Sequence, residues 1–311
     1  MSDERLSVDR REHILIIGAQ KSGTSALYQG LVAHPEIRRG SEKELNFFIE
    51  EGTWSRGQAW YFNQFASGGR YTCDASPSYT SAPYLGGAPS RANQVVPDAR
   101  LIYVVRDPVD RLLAHYLHAI SHHHEVRSFE EVVADLHLER DDIDHGRTSQ
   151  FAAPVSDRRL ARERYQGYLA RSMYRYQLDQ WLEFFDRDQI LVVRQHDLKH
   201  GDTEALKRVG NFVGIELRGS LPQYHVTAEK RVTNAFGEWL RQSGLGQRAR
   251  RTRLRSTLRK LGKGVFYQRL PEASLSAQMR DYVRSLIADD VTAFEEEFGP
   301  VGGTNAPAVT R

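Results

Sequence analysis

The sequence predicts a three-layer α/β fold, with a central, mostly parallel sheet flanked by helices. Three observations predict it. Short apolar runs rich in β-branched residues alternate with longer amphipathic stretches, the order that parallel βαβ units require. The first run, HILIIG at 13–18, ends in glycine and leads through a short loop into a helical pattern. The run RLIYVV at 100–105 ends in Arg-Asp-Pro before another helix. Both strands therefore deliver polar residues to the edge where open α/β sheets bind ligands.

Taken in order, HILIIG reads as a buried strand. TSALYQGLVAHP follows as a helix through Leu27 and Leu31, stopped by Pro35. Residues 70–74 form a strand candidate, and 88–96 a helix. After the strand at 100–105, residues 109–121 read as a helix with Asp107 as its N-cap. Helices are expected over 128–138, 172–185, 203–213 and 275–297, and a strand over 189–193. Residues 140–160 and 220–270 are the least regular. The sequence shows no repeats. The division expected is a tail over 1–12, one domain over 13–300 with a basic, lid-like segment at about 225–270, and a tail over 301–311.

The chain has 311 residues, 40% hydrophobic and 27% charged, which fits a globular protein and excludes a disordered one. The N-terminal MSDERLSVDRREH is charged and lacks an apolar core, so no leader is expected. LIYVV is far too short to cross a bilayer, so no membrane anchor is expected either. Cys73 is the single cysteine, which excludes an intrachain disulfide and suits a reducing, cytoplasmic setting. The net charge is only +3, yet residues 241–263 hold nine Lys or Arg and no Asp or Glu. That segment reads as a solvated face, a lid over an anionic ligand, or a surface for an anionic glycan, nucleic acid or membrane.

The loop after the first strand poses the chemical question. An NTP-binding loop reads G-x-x-x-x-G-K-[ST]. Gly18 and Gly23 keep that spacing, but Thr24 stands where the lysine belongs, and Lys21 lies inside the loop. No strand ends in an aspartate that clearly reads as a metal-holding partner. Transfer of a sulfuryl group, which carries less charge than a phosphoryl group, fits a metal-free site with one lysine beside the leaving oxygen.

KSGTS after a strand resembles the 5′-phosphosulfate loop of sulfotransferases that use 3′-phosphoadenosine 5′-phosphosulfate (PAPS). IYVVRDPVDRLLAHYLH at 102–118 resembles their 3′-phosphate motif. SEKELNFF at 41–48, CDASPSYT at 73–80, YRYQLDQWLEFFDRDQILVV at 174–193 and DLKHGDTEALKRVGNFVGI at 197–215 resemble the heparan-sulfate-like and bacterial carbohydrate or natural-product branch. The resemblance covers roughly residues 13–300 and implies a P-loop-like fold.

It also implies roles. The amides from Ser22 through Gly23 and Thr24 to Ser25 cradle the 5′-phosphate, and the Thr24 and Ser25 hydroxyls add hydrogen bonds. Lys21 stabilises the transferring sulfuryl group and the leaving oxygen. Arg106 grips the 3′-phosphate through paired hydrogen bonds. The family places a serine eight residues after this arginine; here it is Ala114, so one hydrogen bond to the phosphate is lost. Lys230 and Arg231 are candidates to close over the donor. Glu44 is the candidate general base, with Glu42 as an alternative, and burial beside Phe47 and Phe48 is expected to raise its pKa. His115 is the rival base, with His118 as an alternative. With His118 and His122 it is expected to share a helix face lining the acceptor cleft. Asp74, Ser76 and Ser78 belong either to the acceptor side or to a turn. The acceptor implied is a small molecule or glycan. No metal ligand and no nucleic-acid partner are expected, and oligomeric state is not readable. Two other readings stay open: a P-loop small-molecule kinase, and a non-catalytic nucleotide- or polyanion-binding protein. Acceptor specificity belongs to residues 50–70, 120–165 and 220–270, which carry no readable code.

Overall fold

The computed structural model of the protein describes residues 11–49, 51–122, 124–146, 167–199, 203–217, 221, 231–233, 267–269 and 275–301. Five strands form one parallel sheet: β1 (Glu12–Gly18), β2 (Ile37–Arg39), β3 (Tyr71–Ala75), β4 (Arg100–Val105) and β5 (Ile190–Arg194). Their order is β2-β3-β1-β4-β5. Register is fixed by pairs such as Leu15 with Asp74, Leu15 with Leu101, and Val105 with Arg194. Every connection is therefore a crossover, and the loops that follow all five strands gather along one edge.

Side-chain alternation along the strands builds the two helix layers. Leu15 and Ile17 of β1, with Leu101, Tyr103 and Val105 of β4, face α4 (Ala88–Val95), a helix over Tyr174–Leu182 and a last helix over Ala288–Phe298. Ile14 and Ile16, with Ile102 and Val104, face α1 (Thr24–Val32) and a helix over Thr203–Val213. Numbered in chain order, α2 (Glu51–Trp54) and α3 (Gly57–Phe62) precede α4. They are followed by α5 (Pro108–Ser121), α6 (Phe129–Asp144), α7 (Tyr174–Leu182), α8 (Gln195–Lys199), α9 (Thr203–Val213), α10 (Ala277–Leu286) and α11 (Ala288–Phe298). A third core, around Leu112, Val132, Leu136 and Val283, packs α5, α6 and α10 together.

Helix starts follow local chemistry. Asp107 caps α5 by accepting from the Asp110 amide at 2.8 Å. Ser128 and Glu131 form a reciprocal capping box on α6.

The structure differs from the sequence reading at several places. The predicted helix over 275–297 is two helices, because the chain turns at Ile287 (φ −124°, ψ 13°), whose side chain is fully buried. The start of the predicted 172–185 helix is a 3-10 turn, Ala170–Ser172. Helix α6 runs on to Asp144, into the stretch read as irregular. Strands β2, β6 (Arg231–Thr233) and β7 (Tyr267–Arg269) and helices α2, α3 and α8 are additions.

Residues 1–10 and 302–311 of the expected tails, most of residues 225–270 and the whole basic run at 241–263 lie outside the described residues, while Glu12, expected in the N-terminal tail, already belongs to β1. Two short antiparallel strands, β6 (Arg231–Thr233) and β7 (Tyr267–Arg269), pair Arg231 with Arg269 and bring the ends of that segment together. The backbone of β6 lies beside α5. Among the described residues, no helix is long and apolar enough to cross a membrane.

Candidate active site

The loop from Ala19 to Gly23 turns sharply. Lys21 (φ 71°) and Gly23 (φ 95°) both adopt left-handed backbone. The Ala19 amide donates to Val104 O at 2.8 Å, which ties the loop to β4. Ser22, fully buried, donates its amide to Ala19 O at 3.1 Å. That amide, expected in the phosphate cradle, already has an acceptor inside the turn. Gly23, Thr24 and Ser25 open α1, where a helix leaves its first amides without intrahelical acceptors. No side chain caps this helix and no acid stands in its first turn, so its positive end is left for an anion. A Cβ at Gly23 would meet Gln195 Nε2 at 3.2 Å, a tight contact, and the left-handed backbone there disfavours a side chain in any case.

Arg106 follows β4. Its Nη1 donates to Lys21 O at 3.4 Å, and the Tyr174 hydroxyl donates to its carbonyl at 2.9 Å. Asp110 stands 3.9 Å from the guanidinium, but it is shared with Arg280, which donates to it at 2.9 Å. Arg280 and Arg284 also flank Asp107, at 3.6 and 3.5 Å. Lys199, at the end of α8, has its pKa lowered by partial burial and then by the charge of Arg106. It is thus a second cation on this edge. Ala114 lies two turns along α5 and is nearly buried, with 7% exposure.

His115 does not line a cleft. Its ring is fully buried, 4.6 Å from the ring of Tyr168. Burial, then the charges of Arg171 and Arg111, push its pKa well below the ordinary range. A neutral imidazole with no solvent access is a poor partner for an acceptor. His118 and His122 stay together, with ring centroids 4.2 Å apart, on the less buried side of α5. Among the described residues, no group of three His, Cys, Asp or Glu is placed to hold a metal.

Glu44 lies in the loop after β2, also with left-handed backbone (φ 67°), as has Asn46 (φ 51°). Its carboxylate pairs with Lys43 and is half exposed. The expected burial beside Phe47 and Phe48 is not found. Those rings are fully buried and point into the core, against Tyr61, while the turn at 44–46 swings Glu44 the other way. Glu42 is exposed on the same loop. Asp74 and Ser76 lie beneath it: the Asn46 amide donates to Ser76 Oγ at 3.0 Å, and Ser76 Oγ donates to Asp74 Oδ1 at 2.8 Å. Ser78 sits in the adjoining 3-10 turn, Pro77–Tyr79. Lys230 lies outside the described residues, and of Arg231 only the backbone, at the start of β6, is described.

Sequence reasoning missed Arg171, Tyr174, Gln195 and Lys199. Arg171, almost fully buried, donates to the side-chain oxygen of Gln20 in the loop at 2.6 Å. Arg111, also buried, donates to Ser172 Oγ at 2.7 Å and so docks that turn on α5. Neither contact leaves a local sequence signal, because each joins segments over 60 residues apart.

A left-handed loop at an uncapped helix end, a lysine inside it and an arginine bonded to it from the end of β4 form a P-loop-like turn open to an anion, with its lysine displaced. The family described as sulfotransferase domain matches residues 11–284, and the chain belongs to it. It is 29% identical over 240 residues to the human bifunctional heparan sulfate N-deacetylase/N-sulfotransferase 3, covering 74% of this chain and 25% of that protein. It is 30% identical over 209 residues to mouse heparan sulfate glucosamine 3-O-sulfotransferase 3B1, covering 65% of this chain and 46% of that protein. The chain thus spans less than half the length of these relatives. A crystal structure of a sulfotransferase from Alicyclobacillus acidocaldarius shares the fold, with a TM-score of 0.62 at 21% identity, over 93% of this chain and 96% of that one. The kinase reading is set aside by the family.

Proposed function

We propose that the protein transfers a sulfuryl group from PAPS to a hydroxyl or amine of a glycan or small-molecule acceptor, by in-line displacement at sulfur. The observation that carries this reading is the bond from Arg106 to the carbonyl of Lys21, which joins a 3′-phosphate anchor to the loop that holds the 5′ end. The acceptor oxygen or nitrogen forms a bond to sulfur while the bond from sulfur to the bridging phosphate oxygen breaks. Lys21 and the first amides of α1 stabilise the charge that gathers on the departing oxygen. Glu44 takes the acceptor proton. Its exposure suits that role, since a base must reach a substrate. The products are the sulfated acceptor and adenosine 3′,5′-bisphosphate (PAP).

The named relatives act on heparan sulfate at nitrogen and at a 3-hydroxyl, which favours a glycan acceptor and leaves both acceptor atoms within the proposal. Lys199, a second cation near Arg106, adds positive charge on the edge where the serine hydroxyl is absent at Ala114. The single, buried Cys73 supports a reducing, cytoplasmic location. The test is calorimetric titration with PAP in the presence of EDTA, then transfer from labelled PAPS to N-desulfated heparan sulfate and to heparan sulfate. Micromolar PAP binding without metal is expected. Binding of Mg·ATP in its place, or no binding of either, would sink the proposal.

A further inference from the structure

We infer that Asp74 is a positioning residue for the reaction: through Ser76 and the amides of Leu45 and Asn46, it fixes the loop that presents Glu44. This rests on the reading of Glu44 as the acceptor's base. Asp74 is the penultimate residue of β3, beside Leu15 at the centre of the sheet, and is 2% exposed. A carboxylate in such a place is costly unless its oxygens are filled with donors. Here they are. Ser76 Oγ donates to Oδ1 at 2.8 Å, the Tyr79 hydroxyl donates to Oδ2 at 2.6 Å, and the Leu45 amide donates as well. Ser76 in turn accepts from the Asn46 amide at 3.0 Å. Two consecutive amides of the loop, directly after Glu44, are thus tied to one carboxylate, Leu45 directly and Asn46 through Ser76.

The loop needs that hold. Glu44 and Asn46 both adopt left-handed backbone, which residues with side chains rarely do, and such conformations persist only where the surroundings over-determine them. Leu45, Phe47 and Phe48 anchor the loop from its apolar side. Asp74 anchors it from the polar side. Between them the direction of Glu44 is set. An ionised carboxylate suits this task because both oxygens accept. An asparagine turns an amide group toward Ser76 or Tyr79, both of which need an acceptor.

The test follows the Leu45 and Asn46 amides by NMR in the full-length protein, with PAP titration and turnover of PAPS on N-desulfated heparan sulfate alongside. Asp74 has a pKa raised by burial to about 6, so in the wild type both amide signals should shift with a midpoint near 6. The other ionisable groups that face it are Tyr79, Tyr28 and Cys73, all pushed upward by burial, and the charge of Lys43. Asp74→Asn should abolish that shift. In Asp74→Asn and in Ser76→Ala the two amides should exchange with solvent at least tenfold faster. Affinity for PAP should stay within twofold and kcat should fall at least tenfold, with KM for PAPS unchanged. Ser76→Ala serves alone if Asp74→Asn does not fold. Unchanged amide exchange, or loss of PAP binding together with turnover, would overturn the inference. Full turnover by Glu44→Gln would instead overturn the base assignment, and the amide data would still decide whether Asp74 holds the loop.

Discussion

Arg106 Nη1 donates to the main-chain oxygen of Lys21 at 3.4 Å, across 85 residues of sequence. The bond makes the loop and the arginine one unit, so a change at Arg106 is felt at both ends of the donor. Arg106→Ala should weaken PAP binding by one to two orders of magnitude, since a hydrogen bond to a charged group contributes roughly 1.5–3 kcal/mol. Arg106→Lys should recover only part of this, because an ammonium lacks the paired fork. Calorimetry at fixed ionic strength reads both.

Arg280 acts one step away. It holds Asp110, the acid that stands 3.9 Å from Arg106. With Arg280→Ala, Asp110 is released to pair with Arg106 and compete with the phosphate. PAP affinity should fall about two- to fivefold, the scale of an exposed ion pair worth at most ~1 kcal/mol, and the loss should shrink at high salt. An unchanged affinity would show that Asp110 does not compete.

Ala114 offers a test in the opposite direction. Ala114→Ser supplies the hydroxyl that the resemblance implies at this position. It should tighten PAP binding by about tenfold or more if the hydroxyl reaches the phosphate. A neutral or weakening effect would mean that Lys199 has replaced it and that the phosphate sits elsewhere. Lys199→Ala in both backgrounds separates the two.

Asp290 makes stability depend on pH. Its carboxylate accepts from the amides of Arg175 at 3.2 Å and Tyr176 at 2.8 Å, and burial lifts its pKa from 3.8 to about 6. The folded state therefore holds this proton more tightly than the unfolded chain. The stabilisation is fully present below pH 4 and is lost as pH rises through 6. The shift corresponds to roughly 3 kcal/mol. Asp290→Asn should flatten the fall in unfolding free energy between pH 4 and 6.5, as read by urea denaturation. A slope equal to that of the wild type would refute it.

The sheet, the loop with Lys21 and the place of Arg106 are legible in the sequence because local rules impose them. β-branched runs demand strands, and glycines 18 and 23 mark the turn. A Cβ on Gly18 would lie 2.7 Å from the Tyr103 ring, so that glycine also records a tertiary contact. Other features are not local. β2 has three residues, two of them arginines, and owes its strand to β3. His115, His118 and His122 do share a helical period, but the buried sector of α5 runs through Leu112, His115 and Ala119, so period alone cannot say which histidine faces inward. The direction of Glu44 depends on two left-handed residues that no propensity forecasts. Arg171 and Asp74 act through partners that only the fold brings near.

The central place of β1 has a consequence for the birth of the chain. Its partners, β3 and β4, lie 53 or more residues downstream, so the apolar run Ile14–Ile17 leaves the ribosome long before it can pair. At about 5–20 residues per second, the wait is on the order of several seconds. An unpaired apolar strand is a site for association between nascent chains. Arg11 and Glu12 stand just before it, separated only by His13, charges that discourage such contacts until Arg70 and Arg100 arrive to pair with Glu12 and close the sheet around it.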